Sequence, residues 1–262
     1  MIPVLQFFGK EISIYQIMTL AGIFTAGPYA MYVAKRHGKD NNEMLTLLLI
    51  SAIGVFIGMH LVYGLTMLPY LRSILQQKPV TDFKSFIQVA GFILGGSVFY
   101  GGLLGGMLSG FLYGRKKGLD LLFWSDLVAP VIPFFHFFGR IGCFLGGCCY
   151  GLPCSLGFTY HYSPIPGAND VVRFPIQLVE AGFNLLLFFL LNALLNKGKC
   201  KGKLLSIYLG LYSVARFTLE FFRGDEIRGF LFGLSTSQWI SLLIFGGVIL
   251  YTIHSRKKES QK

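Results

Sequence analysis

Four polar residues recur along one apolar stretch, "LYSVARFTLEFFRGDEIRG": Tyr212, Arg216, Glu220 and Arg223, at i, i+4, i+8 and i+11. On a helix these positions fall within an arc of about 80°. One face of an otherwise apolar helix then carries Tyr, Arg, Glu and Arg. The plain reading is an Arg216–Glu220 pair that offsets the cost of burying charge, with Arg223 reaching the outer interface along its aliphatic stem. Arg216, one turn deeper than Glu220, asks for more than that. A second cationic position stands in "PFFHFFGRIGCFLGGCCYG". His136 and Arg140 are four apart and share a face, and Gly139, Gly142, Gly146 and Gly147 open the backbone around them. A guanidinium beside open backbone suits a phosphate, which takes forked charged donors and close approach. The competing reading is helix packing by small residues with Arg140 at the interface. Two arginines on separate apolar runs favour an anionic ligand.

Other polar residues share helix faces with a purpose to find. In "RFPIQLVEAGFN", Gln177, Glu180 and Asn184 lie on one face, where Glu180 can pair with an arginine. Tyr15, in "ISIYQIM", reads from its position alone as an aromatic-belt residue. Tyr100 sits within "GGSVFYGGLLGGMLSG", whose Gly-x-x-x-Gly spacing indicates close helix packing.

These residues need elements to position them. The chain has 262 residues, 53% hydrophobic and 13% charged, with 26 Phe and 33 Gly. Its mean hydropathy is +0.60. Soluble domains carry about 25% charged residues. A disordered chain, a small disulfide scaffold and an ordinary cytosolic enzyme are therefore excluded. The expected fold is all-α, a polytopic membrane protein of about seven spans. The apolar runs cover 12–32, 45–70, 87–113, 119–145, 176–195, 204–222 and 232–254, each of about the length that crosses a bilayer. Most of the 23 Lys and Arg fall in four clusters, at Lys35–Lys39, Arg115–Lys117, Lys197–Lys203 and Arg256–Lys262. That side is expected to be cytoplasmic, which places the N-terminus outside and the C-terminus inside. The whole chain, 1–262, reads as one domain, with larger outer segments at 71–86 and 146–175. No cleavable signal peptide is expected in residues 1–11. The net charge is +11. It lies in short clusters between apolar runs, which marks juxtamembrane loops and argues against nucleic acid. For an anion-binding membrane protein the nearest abundant anion is a phospholipid headgroup.

Cysteines stand at Cys143, Cys148, Cys149 and Cys154, with Cys200 in a basic loop. The spacing C-x4-C-C-x4-C is not the C-x2–4-C of a structural zinc site. Small thiols packed beside glycine are the first reading. A disulfide through Cys154, a metal site and a thiol activated by Arg140 stay open.

Together the motifs resemble the phosphatidylglycerol–prolipoprotein diacylglyceryl transferase family. Its signature Gly-Arg-x-Gly-Asn-Phe-x-Asn-x-Glu-x-x-Gly is met by Gly139, Arg140, Gly142, Phe144 and Gly151. Cys143, Gly146 and Cys148 replace its two Asn and its Glu. Its Tyr-x3-Arg-Phe-x2-Glu-x2-Arg segment is met in full by Tyr212, Arg216, Phe217, Glu220 and Arg223. "FPIQLVE" and "QWIS" resemble two further family segments, and Tyr15 aligns with its first-span Tyr. The family's third-span His-Gly-Gly becomes Tyr100-Gly101-Gly102. The resemblance runs nearly the length of the chain, in the same order, and marks a divergent branch.

The resemblance implies a multi-pass bacterial inner-membrane enzyme. It transfers the diacylglyceryl group of phosphatidylglycerol to the lipobox cysteine thiol of a prolipoprotein and releases glycerol-1-phosphate. No metal or soluble cofactor is implied. Arg140 and Arg216 would hold the phosphate. His136, or else Tyr100, would take the thiol proton. Glu180 and Glu220 would orient the arginines, and Tyr15, Tyr212 and Arg223 would line the substrate. Gly142 and Gly151 would allow the headgroup close to backbone. Two other readings fit the altered signature: a related transferase with a different acceptor, and a non-catalytic phospholipid-binding membrane protein.

Overall fold

The computed structural model describes residues 4–7, 9–77, 80–96, 99–225 and 230–259. Helices dominate. Among the described residues, six are long and apolar enough to cross a membrane: Ile14–Arg36 (α1), Asn41–Leu65 within α2 (Asn41–Met67), Leu121–Gly146, Ile176–Asn196 (α8), Leu204–Phe222 and Thr236–Ser255 within α10 (Thr236–Glu259). The polytopic all-α architecture holds. The third apolar run departs from expectation. It divides into α4 (Phe83–Leu94) and α5 (Phe99–Lys116), while α3 (Leu71–Gln77) occupies the segment before it. Glycine is the physical reason. Gly95 and Gly96 interrupt the run, and six of the 18 residues of α5 are glycine.

The chain divides into two compact units, Met1–Ala30 with Leu122–Lys262, and Met31–Leu121. In the second, α2 and α5 pack through glycine. A Cβ on Gly58 would strike the Gly101 carbonyl, and one on Gly105 the Gly54 carbonyl. The Tyr113 hydroxyl donates to Glu43 at 2.5 Å, tying α5 to the start of α2. Gly58→Val is therefore expected to force the two helices apart and to cost about 1–3 kcal/mol. Thermal unfolding in detergent would show it, with Gly91→Ala as a control, because a Cβ there meets nothing within 4 Å.

The first unit holds most of the chemistry-bearing residues. The fourth apolar run breaks into α6 (Leu121–Val128) and α7 (Val131–Gly146) at Pro130, whose missing N–H ends one helix and whose carbonyl starts the next. Asp126, an expensive charge in the sequence, accepts from the backbone N–H of Gly202 and, at 2.9 Å, of Leu204. It thereby satisfies orphan donors at the start of α9 (Leu204–Leu219). Helix α7 packs on α8, α8 on α9, and α9 on α10. Tyr29 of α1 donates to Asn192 of α8 at 2.8 Å.

Short hairpins flank the helices: β1 (Val4–Phe7) with β2 (Lys10–Ser13), β3 (Pro153–Thr159) with β4 (Val172–Arg173), and β5 (Phe230–Leu231) with β6 (Leu234–Ser235), all antiparallel. The segment between α7 and α8 folds around buried Arg173. Its guanidinium donates to the carbonyls of Ala168, Gly151 and Gly167 at 3.2, 3.2 and 2.5 Å and lies 4.3 Å from the Tyr150 ring centre. Three carbonyls and an aromatic face replace the water a buried cation loses.

Candidate active site

The centre of the site is Glu180 on α8, whose side chain is 2% exposed. Arg140 of α7 lies 2.8 Å from its Oε1, the Tyr212 hydroxyl of α9 donates to the same oxygen at 2.8 Å, and His136 Nε2 stands 3.9 Å away. Four residues on three helices therefore converge. The sequence explains each placement. His136 and Arg140 are one turn apart on α7, and the Gly residues that follow let α1 approach. A Cβ on Gly142 would come within 3.0 Å of Met18 and 3.2 Å of Tyr15. The His136 ring also packs against the Tyr212 ring, with centres 5.2 Å apart. Asn184, one turn after Glu180, donates to its backbone carbonyl at 2.8 Å.

One turn beyond Tyr212, Arg216 pairs with Glu220 at 2.7 Å and donates to the Ser237 hydroxyl at 3.1 Å. Ser237 is positioned by the start of α10. Ser235 caps that helix: Gln238 N–H donates to its hydroxyl at 3.2 Å, and Ser235 N–H donates to the Gln238 side chain at 2.9 Å. This reciprocal pair is a capping box.

Two donors stay unused among the described residues. Nε of Arg140 and Nη1 of Arg216 are buried and make no hydrogen bond there. An orphaned buried donor costs about 1–3 kcal/mol. A guanidinium ordinarily fills its N–H positions, so these two are available to an anion.

The expected fourfold stripe on α9 does not run its full length. The α-helix ends at Leu219, Glu220–Phe222 forms a 3-10 turn, and Arg223 is extended. Arg223 bridges to Gly151 and pairs with Asp225 through Nε at 2.8 Å and Nη2 at 2.5 Å, rather than continuing the face of Arg216. The room expected beside Gly142 and Gly151 is taken by the chain itself: Tyr15 and Met18 fill the first and the Phe174 carbonyl the second. Tyr15 is 44% exposed at the start of α1. Tyr100 belongs to the first turn of α5 in the other unit, and its side chain lies outside the described residues.

Beyond Arg140 the sulfurs of Cys143, Cys148 and Cys149 come within 4.8 Å of one another. Gln177 holds this turn, donating to the Cys148 carbonyl at 2.8 Å and to the Tyr160 hydroxyl at 3.1 Å. Burial pushes the Tyr160 phenol up to about 12, so it remains neutral. Two contributors escaped the sequence: the convergence of the thiols, and Ser237, whose only signal is the cap Ser235-x-x-Gln238.

The sequence profile of the family described as "Prolipoprotein diacylglyceryl transferase" matches residues 3–253. The chain belongs to the prolipoprotein diacylglyceryl transferase family. Among similar proteins, the phosphatidylglycerol–prolipoprotein diacylglyceryl transferase of Clostridium tetani is 35% identical over 98% of this chain and 99% of its own length. The Clostridium perfringens protein whose name adds the numeral 2 is 33% identical over 98% and 96%, and that of Bordetella avium 31% over 94% and 90%. As a family member the chain is a membrane-embedded transferase. The convergence on Glu180 thus draws together positions of three separate family-like segments: Arg140, Glu180, and Tyr212 with its neighbour Arg216.

Proposed function

We propose that this protein transfers the diacylglyceryl group of phosphatidylglycerol to the lipobox cysteine thiol of a prolipoprotein, releasing glycerol-1-phosphate, in the plasma membrane of a bacterium. We place its N-terminus on the outer side and its C-terminus in the cytoplasm, the whole chain acting as one transferase domain. The observation that carries the chemistry is the pair of buried, unused donors on Arg140 and Arg216. Both guanidiniums already have one carboxylate each, so the pairs are close to neutral before substrate enters. The remaining N–H groups are then left for a phosphate.

In the transfer, the acceptor sulfur forms a bond to the glycerol carbon of the diacylglyceryl group. The bond from that carbon to the phosphate oxygen breaks, and its electrons leave with glycerol-1-phosphate. Charge on the leaving phosphate grows as the bond breaks. Preorganised guanidinium donors in a dry site stabilise that charge without reorganising. Glu180 and Tyr212 fix Arg140, while Glu220 and Ser237 fix Arg216. His136 takes the thiol proton; Glu180 at 3.9 Å from its Nε2 stabilises the imidazolium that results. Tyr15, at the open end of α1, meets the headgroup, and Arg223 with Asp225 borders the outer side.

A second reading keeps phosphatidylglycerol but changes the acceptor. The residues Cys143, Gly146 and Cys148, where the family signature has Asn, Asn and Glu, favour it. The test is release of glycerol-1-phosphate by the purified protein in detergent, with phosphatidylglycerol and a lipobox peptide. Release that requires the peptide supports the lipoprotein reaction. Release indifferent to the peptide supports another acceptor, and no release beside a working relative contradicts both.

A further inference from the structure

The three clustered thiols have no part in the reaction as derived so far. Their sequence spacing does not announce a site; the turn after α7 makes one. Helix α7 ends at Gly146, and Gly147 reverses the chain with φ 72°. Cys148 N–H then donates back to the Cys143 carbonyl at 3.1 Å. Cys149 is also left-handed, at φ 56°, a conformation that residues with side chains rarely adopt. Two left-handed residues on either side of Cys148 turn adjacent cysteines onto the same point. Gln177 clamps the turn from α8.

The resulting geometry suits a soft metal. A zinc–thiolate bond is about 2.3 Å, so three sulfurs around one ion stand roughly 3.8 Å apart. The three here lie within 4.8 Å of one another, so small side-chain shifts close them on an ion. Among the described residues no other Cys, His, Asp or Glu joins this group. Cys154 is turned elsewhere, donating to the Leu156 carbonyl at 2.9 Å. Three protein ligands with a fourth position open is the pattern of a catalytic zinc site, whereas structural sites are closed by four. The position is also apt. His136, Arg140 and Cys143 are spaced i, i+4 and i+7, which places them within an arc of about 60° on one face of α7. Three thiolates on a divalent ion leave one net negative charge.

We propose that Cys143, Cys148 and Cys149 bind a zinc ion whose open position takes the acceptor thiol and presents it as a thiolate. The inference rests on the transferase reading above. On coordination the S–H bond breaks and its proton is released to water, as metal binding to a thiol requires. The bound sulfur then forms the C–S bond as the carbon–oxygen bond to phosphate breaks. The product thioether carries no charge and is a weak ligand, so it leaves. No redox change is involved. The device also suits a chain that has Tyr100 where the family has its third-span His.

Metal binding is read without reference to turnover. The reduced full-length protein in detergent is titrated with Co2+, which absorbs in the near ultraviolet when bound to thiolates. One equivalent is expected to give a three-thiolate band that Cys149→Ser removes and that Arg216→Ala, expected to slow transfer about 10²–10³-fold, retains. Adding a lipobox peptide, but not its Cys→Ser counterpart, is expected to increase the thiolate band. In the zinc-loaded protein, chelation is expected to lower glycerol-1-phosphate release roughly tenfold or more, since a free thiol of pKa about 8.5 is only a few per cent ionised at neutral pH. Zinc is expected to restore the rate. No thiolate band in the reduced wild type, a disulfide among the three cysteines in protein isolated without reductant, a peptide that leaves the band unchanged, or full activity after chelation would each overturn the proposal. If metal binds with the stated stoichiometry but neither peptide nor lipid reacts, the failure lies in the transferase reading, and the acceptor-activating role falls with it.

Discussion

Arg216→Ala is expected to lower the transfer rate about 10²–10³-fold, the usual loss when one preorganised donor to a developing charge is removed. The loss should fall on kcat rather than on KM, because the donor matters most when the phosphate leaves. Arg216→Lys should recover only part of it. A lysine keeps the charge, but it cannot use one planar fork to meet Glu220, Ser237 and a phosphate together. Arg140→Ala should behave alike, with an added loss of stability because buried Glu180 would then keep, among the described residues, only the Tyr212 hydroxyl and His136 within contact. Initial rates of glycerol-1-phosphate release with saturating phosphatidylglycerol separate the two parameters. A rise in KM with kcat unchanged would mean that the arginines only bind lipid.

Glu180→Ala is expected to be the most destabilising single change in the site, by about 3–5 kcal/mol. It removes the only carboxylate paired with Arg140 among the described residues and leaves the guanidinium buried. It also removes the acceptor of the Tyr212 hydroxyl. Glu180→Gln should cost less, because an amide oxygen still accepts from both groups. The diagnostic variant is the double change Glu180→Leu with Arg140→Leu, which should be more stable than either single one, as expected for a buried pair whose partners mainly cancel each other's desolvation. Thermal unfolding of the four proteins in one detergent gives the coupling. Single changes that simply add would show that the pair is not the centre of the buried cluster.

Much of this site was legible in the sequence because a charge inside an apolar run needs a partner. Arg216 and Glu220, one turn apart, announced their own pair. Arg140, His136 and Glu180 could be marked as expensive, but helix periodicity fixes only which residues share a face. Which helix that face meets depends on packing among α7, α8 and α9. Arg223 was misplaced because the spacing i+11 assumes an unbroken helix, whereas the chain leaves the helix after Leu219. Gly142 and Gly151 were read as room for a headgroup; a missing side chain marks a close approach without saying what approaches. The split of the third apolar run follows from the same ambiguity, since glycine marks close packing, as between α5 and α2, and also a break, as at Gly95 and Gly96. The cysteine cluster was least visible, because two left-handed residues, Gly147 and Cys149, bring together sulfurs whose spacing matches no common ligand pattern.

The proposed transfer, a thiol alkylation from a phospholipid, depends on two arginines anchored from α7 and α9. It is tested most directly by the mass of a lipobox peptide incubated with phosphatidylglycerol and the purified protein. A gain equal to one diacylglyceryl group on the cysteine is predicted, absent with the Cys→Ser peptide and nearly absent with Arg140→Ala or Arg216→Ala. An unmodified peptide under conditions where the Clostridium tetani relative modifies it, or a modification that survives the loss of both arginines, would contradict the account.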